Sequence, residues 1–271
     1  MDDQEKIPFT AHLEELRKRL IVCFIAIGIG FVISYVFKEK LFQILTYPLI
    51  EVMKTGDKLI FPGLPEAFFT YLKVAFLSGI ILATPVIFYQ FWMFVAPGLY
   101  DKEKRLMLPI VILSTLFFVG GAFFGYFIVF PFGFRFFLGF ASDIIRPLPS
   151  MREYLSFSSK LLLAFGLVFE LPLIITFLAK IGIVSVGLLR KNRKYAILII
   201  FTAAAILTPP DVATQIMMAV PLMVLYEISI IGAKIFGKKK QTEDDVDESS
   251  RRKKKKKKRG NKINQTTDEQ E

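Results

Sequence analysis

The chain has a single cysteine, Cys23, and a single histidine, His12. One cysteine excludes a disulfide within one chain, so cysteine usage says nothing about the redox compartment. One residue of each kind also leaves a metal site built on His and Cys without ligands, and no other cofactor is expected. A GxxxxGK[ST] phosphate loop, a GxSxG nucleophile elbow and an HExxH helix are all absent. These absences do not exclude an enzyme, but none is expected. No internal repeat is evident, which argues against the repeat-built secondary transporters. The amino terminus is acidic (Asp2, Asp3, Glu5) and has no small-residue cleavage site after a short apolar core. It is not read as a cleaved signal peptide.

What the sequence has in abundance is apolar surface: 54% hydrophobic residues and 29 phenylalanines in 271 residues. The distribution says more than the total. Charges are nearly missing from long blocks and crowded between them. An apolar run of roughly 18 residues or more crosses a bilayer as a helix. Backbone groups in lipid must bond internally, so helices are the expected element.

The first apolar run is Leu20 to Phe37, and the second is Val74 to Pro97 after a polar segment with turn signals at Gly56-Asp57, Pro62-Gly63 and Pro65. The third is Leu106 to Phe134 and the fourth Leu161 to Lys180. Tyr195 to Leu207 is only about a dozen residues, ended by Thr208-Pro209-Pro210-Asp211, and Val212 to Ile231 returns. The fifth helix therefore falls short of a hydrocarbon core about 30 Å thick. A re-entrant hairpin and two short helices in thinned lipid both remain open, and both return the chain to its starting side. The expected fold is all-α, with six transmembrane helices, the last two short. Residues 1–19 form a cytoplasmic amphipathic segment, 20–233 the membrane domain, and 234–271 a disordered charged cytoplasmic tail.

The formal charge of +11 divides unevenly. From Lys238 onward there are 13 Lys or Arg against 8 Asp or Glu, a net of +5, which leaves +6 for the rest. The basic excess is partly a tail property, and nucleic-acid binding is not expected. The tail is poor in apolar residues and reads as solvated, with membrane lipid as a possible contact. With six crossings, 26 basic residues fall on the side of the termini, tail included, and 9 on the other. The side rich in Lys and Arg is expected to be cytoplasmic.

Several residues stand out. Glu170 lies in the middle of the fourth run, where a carboxylate costs several kcal/mol unless it is neutral, paired or facing water. Pro172 frees the carbonyl of Val168 and predicts a kink beside it. In Phe9-Thr10-Ala11-His12-Leu13-Glu14-Glu15-Leu16-Arg17-Lys18-Arg19-Leu20, Thr10 is a candidate helix cap, and Leu13, Leu16 and Leu20 share a face. Glu14 can reach Lys18 and Glu15 can reach Arg19. These acids are either an interfacial helix's own ion pairs or a surface for a basic partner. Asp101 and Glu103 in the loop Ala96-Pro97-Gly98-Leu99-Tyr100-Asp101-Lys102-Glu103 lie on the same side. They suit a helix start on dipole grounds, and equally a guanidinium pair. Asp211 and Gln215 sit on the opposite side, where Asp suits a helix N-terminus.

The motifs resemble one family along most of the chain. His12-Leu13-Glu14-Glu15-Leu16-Arg17-Lys18-Arg19-Leu20, Pro48-Leu49-Ile50, and Phe94-Val95-Ala96-Pro97-Gly98-Leu99-Tyr100 with Glu103-Lys104-Arg105 are similar to TatC, the receptor of the twin-arginine protein translocase. Phe124-Gly125-Tyr126 to Phe130-Pro131, Ser156-Phe157 to Phe165-Gly166, Phe169-Glu170-Leu171-Pro172, and Leu207-Thr208-Pro209-Pro210-Asp211 complete the set, in family order. The resemblance runs from about residue 9 to about 230 and stops before the tail.

The resemblance implies a cupped, glove-like six-helix arrangement in the bacterial cytoplasmic (inner) membrane, with both termini cytoplasmic. It implies binding of twin-arginine signal peptides and work with TatA and TatB, with self-association in a receptor complex. Folded cargo would cross on the proton-motive force. Glu15, Glu103, Arg17 and Phe94 then match the signal-peptide site. Glu170, Thr208 and Gln215 match intramembrane polar or partner-docking positions, and Pro48, Phe68, Tyr126 and Asp211 match other family positions. The competing function is an ion-coupled transporter of a small molecule with Glu170 as its coupling acid.

Overall fold

The computed structural model describes residues 9–53, 59–95, 107–141, 147–207 and 212–237. Among them the chain is helical almost throughout. The order is α1 (Phe9–Val36), α2 (Lys38–Ile50), α3 (Glu66–Val95), α4 (Met107–Phe124), a π-helical turn (Gly125–Val129), α5 (Phe130–Leu138), α6 (Met151–Phe169), α7 (Leu171–Ile181), α8 (Val186–Lys191), α9 (Arg193–Leu207) and α10 (Val212–Phe236).

Five stretches are long and apolar enough to cross a membrane: His12–Val36, Glu66–Val95, Met107–Leu138, Met151–Ile181 and Thr214–Phe236. The sixth expected passage, α9, has 15 residues. That gives it about 22 Å, short of a core roughly 30 Å thick. The third passage is α4, the π-turn and α5 end to end; the fourth is α6 and α7 joined at Glu170.

The structure differs from the sequence reading in three places. α1 begins at Phe9, so Thr10 lies inside the helix instead of capping it. The helix runs on through residue 19 into the first apolar run, which leaves the division at residues 19 and 20 untested. The polar segment after the first run contains α2, which buries Leu45, Thr46, Pro48 and Leu49. The loop near Arg190 is helical too: α8 starts on Ser185, whose side chain accepts a hydrogen bond from the Leu188 N–H at 3.2 Å.

Close helix contacts fix the chain direction. A Cβ on Gly30 would lie 2.6 Å from the carbonyl oxygen of Gly79, and a Cβ on Gly79 would lie 2.6 Å from the Phe31 nitrogen. Only glycine lets α1 and α3 meet backbone to backbone, the small-residue packing that holds helices together in lipid. Gly121 meets the Phe165 backbone, and Gly166 meets the Phe118 ring, which pairs α4 with α6 antiparallel. Gly232 faces Thr176 and Gly237 faces Ala179, so α10 runs parallel to α7. The start of α1, the end of α3 and the ends of α7 and α10 therefore share one end of the bundle. The start of α10 lies at the other.

At that other end two loops are tied together. The Ile60 N–H donates to Pro149 O at 3.1 Å, and the Met151 N–H donates to Ile60 O at 2.9 Å. Glu66 accepts from the Ser150 hydroxyl at 3.1 Å and the Arg152 N–H at 3.0 Å. The main core is aromatic, with Phe130, Phe134, Tyr154 and Phe165 buried among leucines. The outer faces are apolar: Phe24, Ile29 and Val32 of α1 are all exposed, as a surface bathed in lipid requires.

Candidate functional site

Three groups among the described residues bring together the positions that the sequence singles out. The first is at the end shared by the start of α1 and the end of α3. Glu15 accepts from the Arg19 guanidinium, with both Nε and Nη2 donating to its Oε1. Arg19 also points Nη1 at the carbonyl of Gln90 in α3, at 3.4 Å. One turn earlier the His12 and Phe94 rings stack with centroids 4.3 Å apart. Glu15 and Phe94 are thus brought to one place by two α1–α3 contacts. Glu14 pairs outward with Lys18 at 2.9 Å, and Arg17 is exposed. The i,i+4 pairs are those the helix spacing predicts. What spacing does not reveal is that Arg19, the mostly buried member of its pair, is shared with α3. Glu103 lies outside the described residues.

The second group surrounds Glu170, which is 2% exposed. It sits where α6 gives way to α7, its N–H reaching back to Leu167 O at 3.1 Å. Pro172 is at the start of α7 and has no N–H to continue the ladder, so the break falls where the sequence predicts a kink. The Trp92 indole N–H donates to the Ser114 hydroxyl at 2.9 Å. Ser114 and the backbone of Phe118 face the Glu170 carboxyl. Since Ser114 accepts from Trp92, its own proton is free to donate onward to the carboxyl. Phe177 packs edge-on against Trp92 at 4.8 Å and closes that side. Oxygen Oε1 of Glu170 has no hydrogen-bond partner among the described residues. Sequence reasoning missed Trp92 and Ser114. Their signal was a polar tip inside an otherwise apolar run, which marks a group that must find a partner in lipid.

The third group is at the opposite end. Pro48 is buried inside α2 and cannot donate to the carbonyl of Ile44 four residues earlier. The Tyr126 hydroxyl donates to that same carbonyl at 2.5 Å. Tyr126 belongs to the π-turn, whose extra residue per turn re-aims side chains. The Tyr154 hydroxyl bonds the next carbonyl, Leu45 O. Pro48 and Tyr126, far apart in sequence, are two halves of one contact. Phe68 is exposed and rests edge-on against Phe69, apart from that contact. Gln215 donates to the Phe201 carbonyl at 3.0 Å and ties the start of α10 to α9. Thr208 and Asp211 lie outside the described residues. No group of three or more His, Cys, Asp or Glu suited to a metal occurs among the described residues.

Comparison with known proteins places this geometry. The family model for the Sec-independent protein translocase protein TatC matches residues 11–221. The TatC protein of Desulforapulum autotrophicum is 70% identical over 240 residues, covering 89% of each chain. That of Escherichia coli K12 is 38% identical over 236 residues, covering 87% of this chain and 92% of the relative. A crystal structure of the twin-arginine translocase receptor TatC superposes with a TM-score of 0.75 at 43% identity, covering 83% of this chain and 98% of that one. The chain belongs to the TatC family of Sec-independent protein translocase proteins.

Proposed function

We propose that this protein is the signal-peptide-binding subunit of a twin-arginine translocase, exporting folded proteins with TatA and TatB on the proton-motive force. The observation that carries the reading is the Glu15 cluster. It puts a carboxylate that is one-third exposed at the end of the bundle, beside Phe94 and one exposed arginine, Arg17. The carboxylate already accepts a guanidinium on one oxygen, which makes it chemically suited to a second on the other. Glu103, eight residues past the end of α3, supplies the second acid of the pair. The protein binds and scaffolds; it does not catalyse.

In this reading α9 is the sixth passage, and both termini face the cytoplasm of a bacterial inner membrane. Residues 1–19 are the cytoplasmic face of the receptor, 20–233 the membrane domain, and 234–271 the tail, of which 238–271 lie outside the described residues. Thr208 and Gln215 dock partner helices, Glu170 holds a polar contact at membrane depth, and copies associate in the receptor complex. Glu170 is 2% exposed, so a partner helix reaches it only when Trp92 or α7 shifts. Pro48, Phe68, Tyr126 and Asp211 shape the opposite face.

Capture of the purified full chain by an immobilised Arg-Arg signal peptide, against its Lys-Lys version, tests the reading. Binding to Arg-Arg and not to Lys-Lys is expected, because the fork of a guanidinium matches a carboxylate and an ammonium does not. Equal capture by both would contradict it.

A further inference from the structure

A groove of about 570 Å³ opens at the end of the bundle opposite the termini, lined by Phe132, Arg135 and Phe136 of α5 and by Thr214, Ile216 and Met217 of α10. None of the residues in the proposed signal-peptide cluster lines it. Its walls are apolar: Phe132 is 59% exposed and Ile216 48%. Among its described lining residues the one charge is Arg135, in the last turn of the third membrane passage. Arg135 is exposed and makes no ion pair among the described residues. The neighbouring start of α10 is the positive end of a helix dipole and adds to the same sign of potential.

An arginine one turn from the end of a membrane passage lies at headgroup depth, with its stem against hydrocarbon. Its planar fork matches phosphate oxygens bidentately. A ligand with a phosphate at one end and an aliphatic chain at the other meets both features of the groove. We propose that the groove binds an anionic phospholipid of the leaflet opposite the termini, with its phosphate on Arg135 and an acyl chain between Phe132, Phe136, Ile216 and Met217. Charge complementarity favours an anionic lipid, because the described lining residues include one cation and no acid to hold the ammonium of a zwitterionic headgroup. A lipid seated there would bridge α5 and α10, the two helices that line the groove.

Native mass spectrometry of the full chain in detergent tests this, with phosphatidylglycerol and phosphatidylcholine of identical chains added in turn. Wild type should retain phosphatidylglycerol about fivefold better or more, the size of one basic contact at a membrane surface. Arg135→Gln should erase that preference and Arg135→Lys should keep part of it. Arg152→Gln, at an exposed cation on the same side but outside the groove, should leave it unchanged. Glycerol phosphate, which has the headgroup chemistry without chains, should not compete at matched concentration. Retention unaffected by Arg135→Gln would overturn the proposal, and so would an equal loss in Arg152→Gln or full competition by glycerol phosphate. A groove that serves a peptide helix instead would give the first of these results.

Discussion

Glu15 shares one oxygen with Arg19, and Arg19 is shared in turn with α3. Arg19 therefore does two things: it neutralises the acid and it pins the helix end that carries it. Arg19→Gln should raise affinity for an Arg-Arg peptide at the freed carboxylate, unless loss of the α3 contact misplaces the site. Arg19→Lys, which keeps the charge and loses the fork, separates the two. Peptide affinity measured for both variants checks this; an unchanged affinity in both would show that Glu15 is not the peptide's acid. At Glu170 the test is Gln against Ala. Gln reproduces a neutral carboxyl and still accepts from Ser114, so export of a folded Arg-Arg cargo should persist. Ala leaves the Trp92–Ser114 pair unpaired at its end and should lower partner co-purification, at a stability cost of about 1–3 kcal/mol. Loss of export in Glu170→Gln with normal partner binding would favour a titrating acid, as a coupled transporter requires. At this scale the sequence was informative about local pairs, since i,i+4 spacing is set by the helix itself. It was silent on Gln90, Trp92 and Ser114, because periodicity does not say which helix faces which.

The elements show how irregular backbone is put to use in a membrane protein. Pro48 orphans the carbonyl of Ile44 and Tyr126 satisfies it, through a π-turn that re-aims the side chain. In lipid or at its edge an unpaired carbonyl is costly, so the two residues should be coupled. Tyr126→Phe should destabilise the protein by about 1 kcal/mol in detergent unfolding, the usual net worth of one hydrogen bond. In a Pro48→Ala background the restored N–H serves Ile44, and Tyr126→Phe should then cost close to nothing. Additive effects across that double-mutant cycle would mean the contact carries no stability. The Gly30–Gly79 crossing gives a harder test. Gly79→Val places a branched side chain where a single Cβ already lies 2.6 Å from backbone. It should cost about 3 kcal/mol or abolish folded yield, since neither helix can give way locally. Gly28, with nothing within 4 Å of an added Cβ, should accept Ala without loss. The apolar runs and the break before Pro172 were legible in the sequence, because composition and the missing proline N–H decide them. α2 was not, because a half-polar helix lying at a membrane edge has no run long enough to stand out. The π-turn had no sequence signal at all; it is recognised only by the bond it enables.

For the whole molecule, an even number of passages is the structural claim on which sidedness rests. α10 is parallel to α7, and α9 runs against α10, with Arg193 on Glu227 at 2.8 Å near one end and Gln215 on the Phe201 carbonyl near the other. α9 therefore covers the distance from Glu227 to the start of α10, although it is too short to span a full-thickness core. A reporter that is active only outside the cytoplasm, fused after Gly237, should give no signal; a strong signal would overturn the six-passage account. The family was legible from motifs spread across most of the chain. The arrangement of the Glu15 cluster was not, since it depends on the α1–α3 crossing set by two glycines. In the proposed function, Glu15 and Glu103 read the two arginines of a signal peptide. The most direct measurement is a cross of peptides with variants: wild type, Glu15→Gln and Glu103→Gln, each against Arg-Arg and Lys-Lys signal peptides, by equilibrium affinity. Each Gln substitution should weaken Arg-Arg binding about tenfold or more, as expected for one charged hydrogen bond of about 1.5–3 kcal/mol. The same substitutions should change Lys-Lys binding far less, giving a coupling between each acid and the guanidinium pair. Affinities for Arg-Arg that stay at the wild-type value in both variants, with normal expression and folding, would contradict the account.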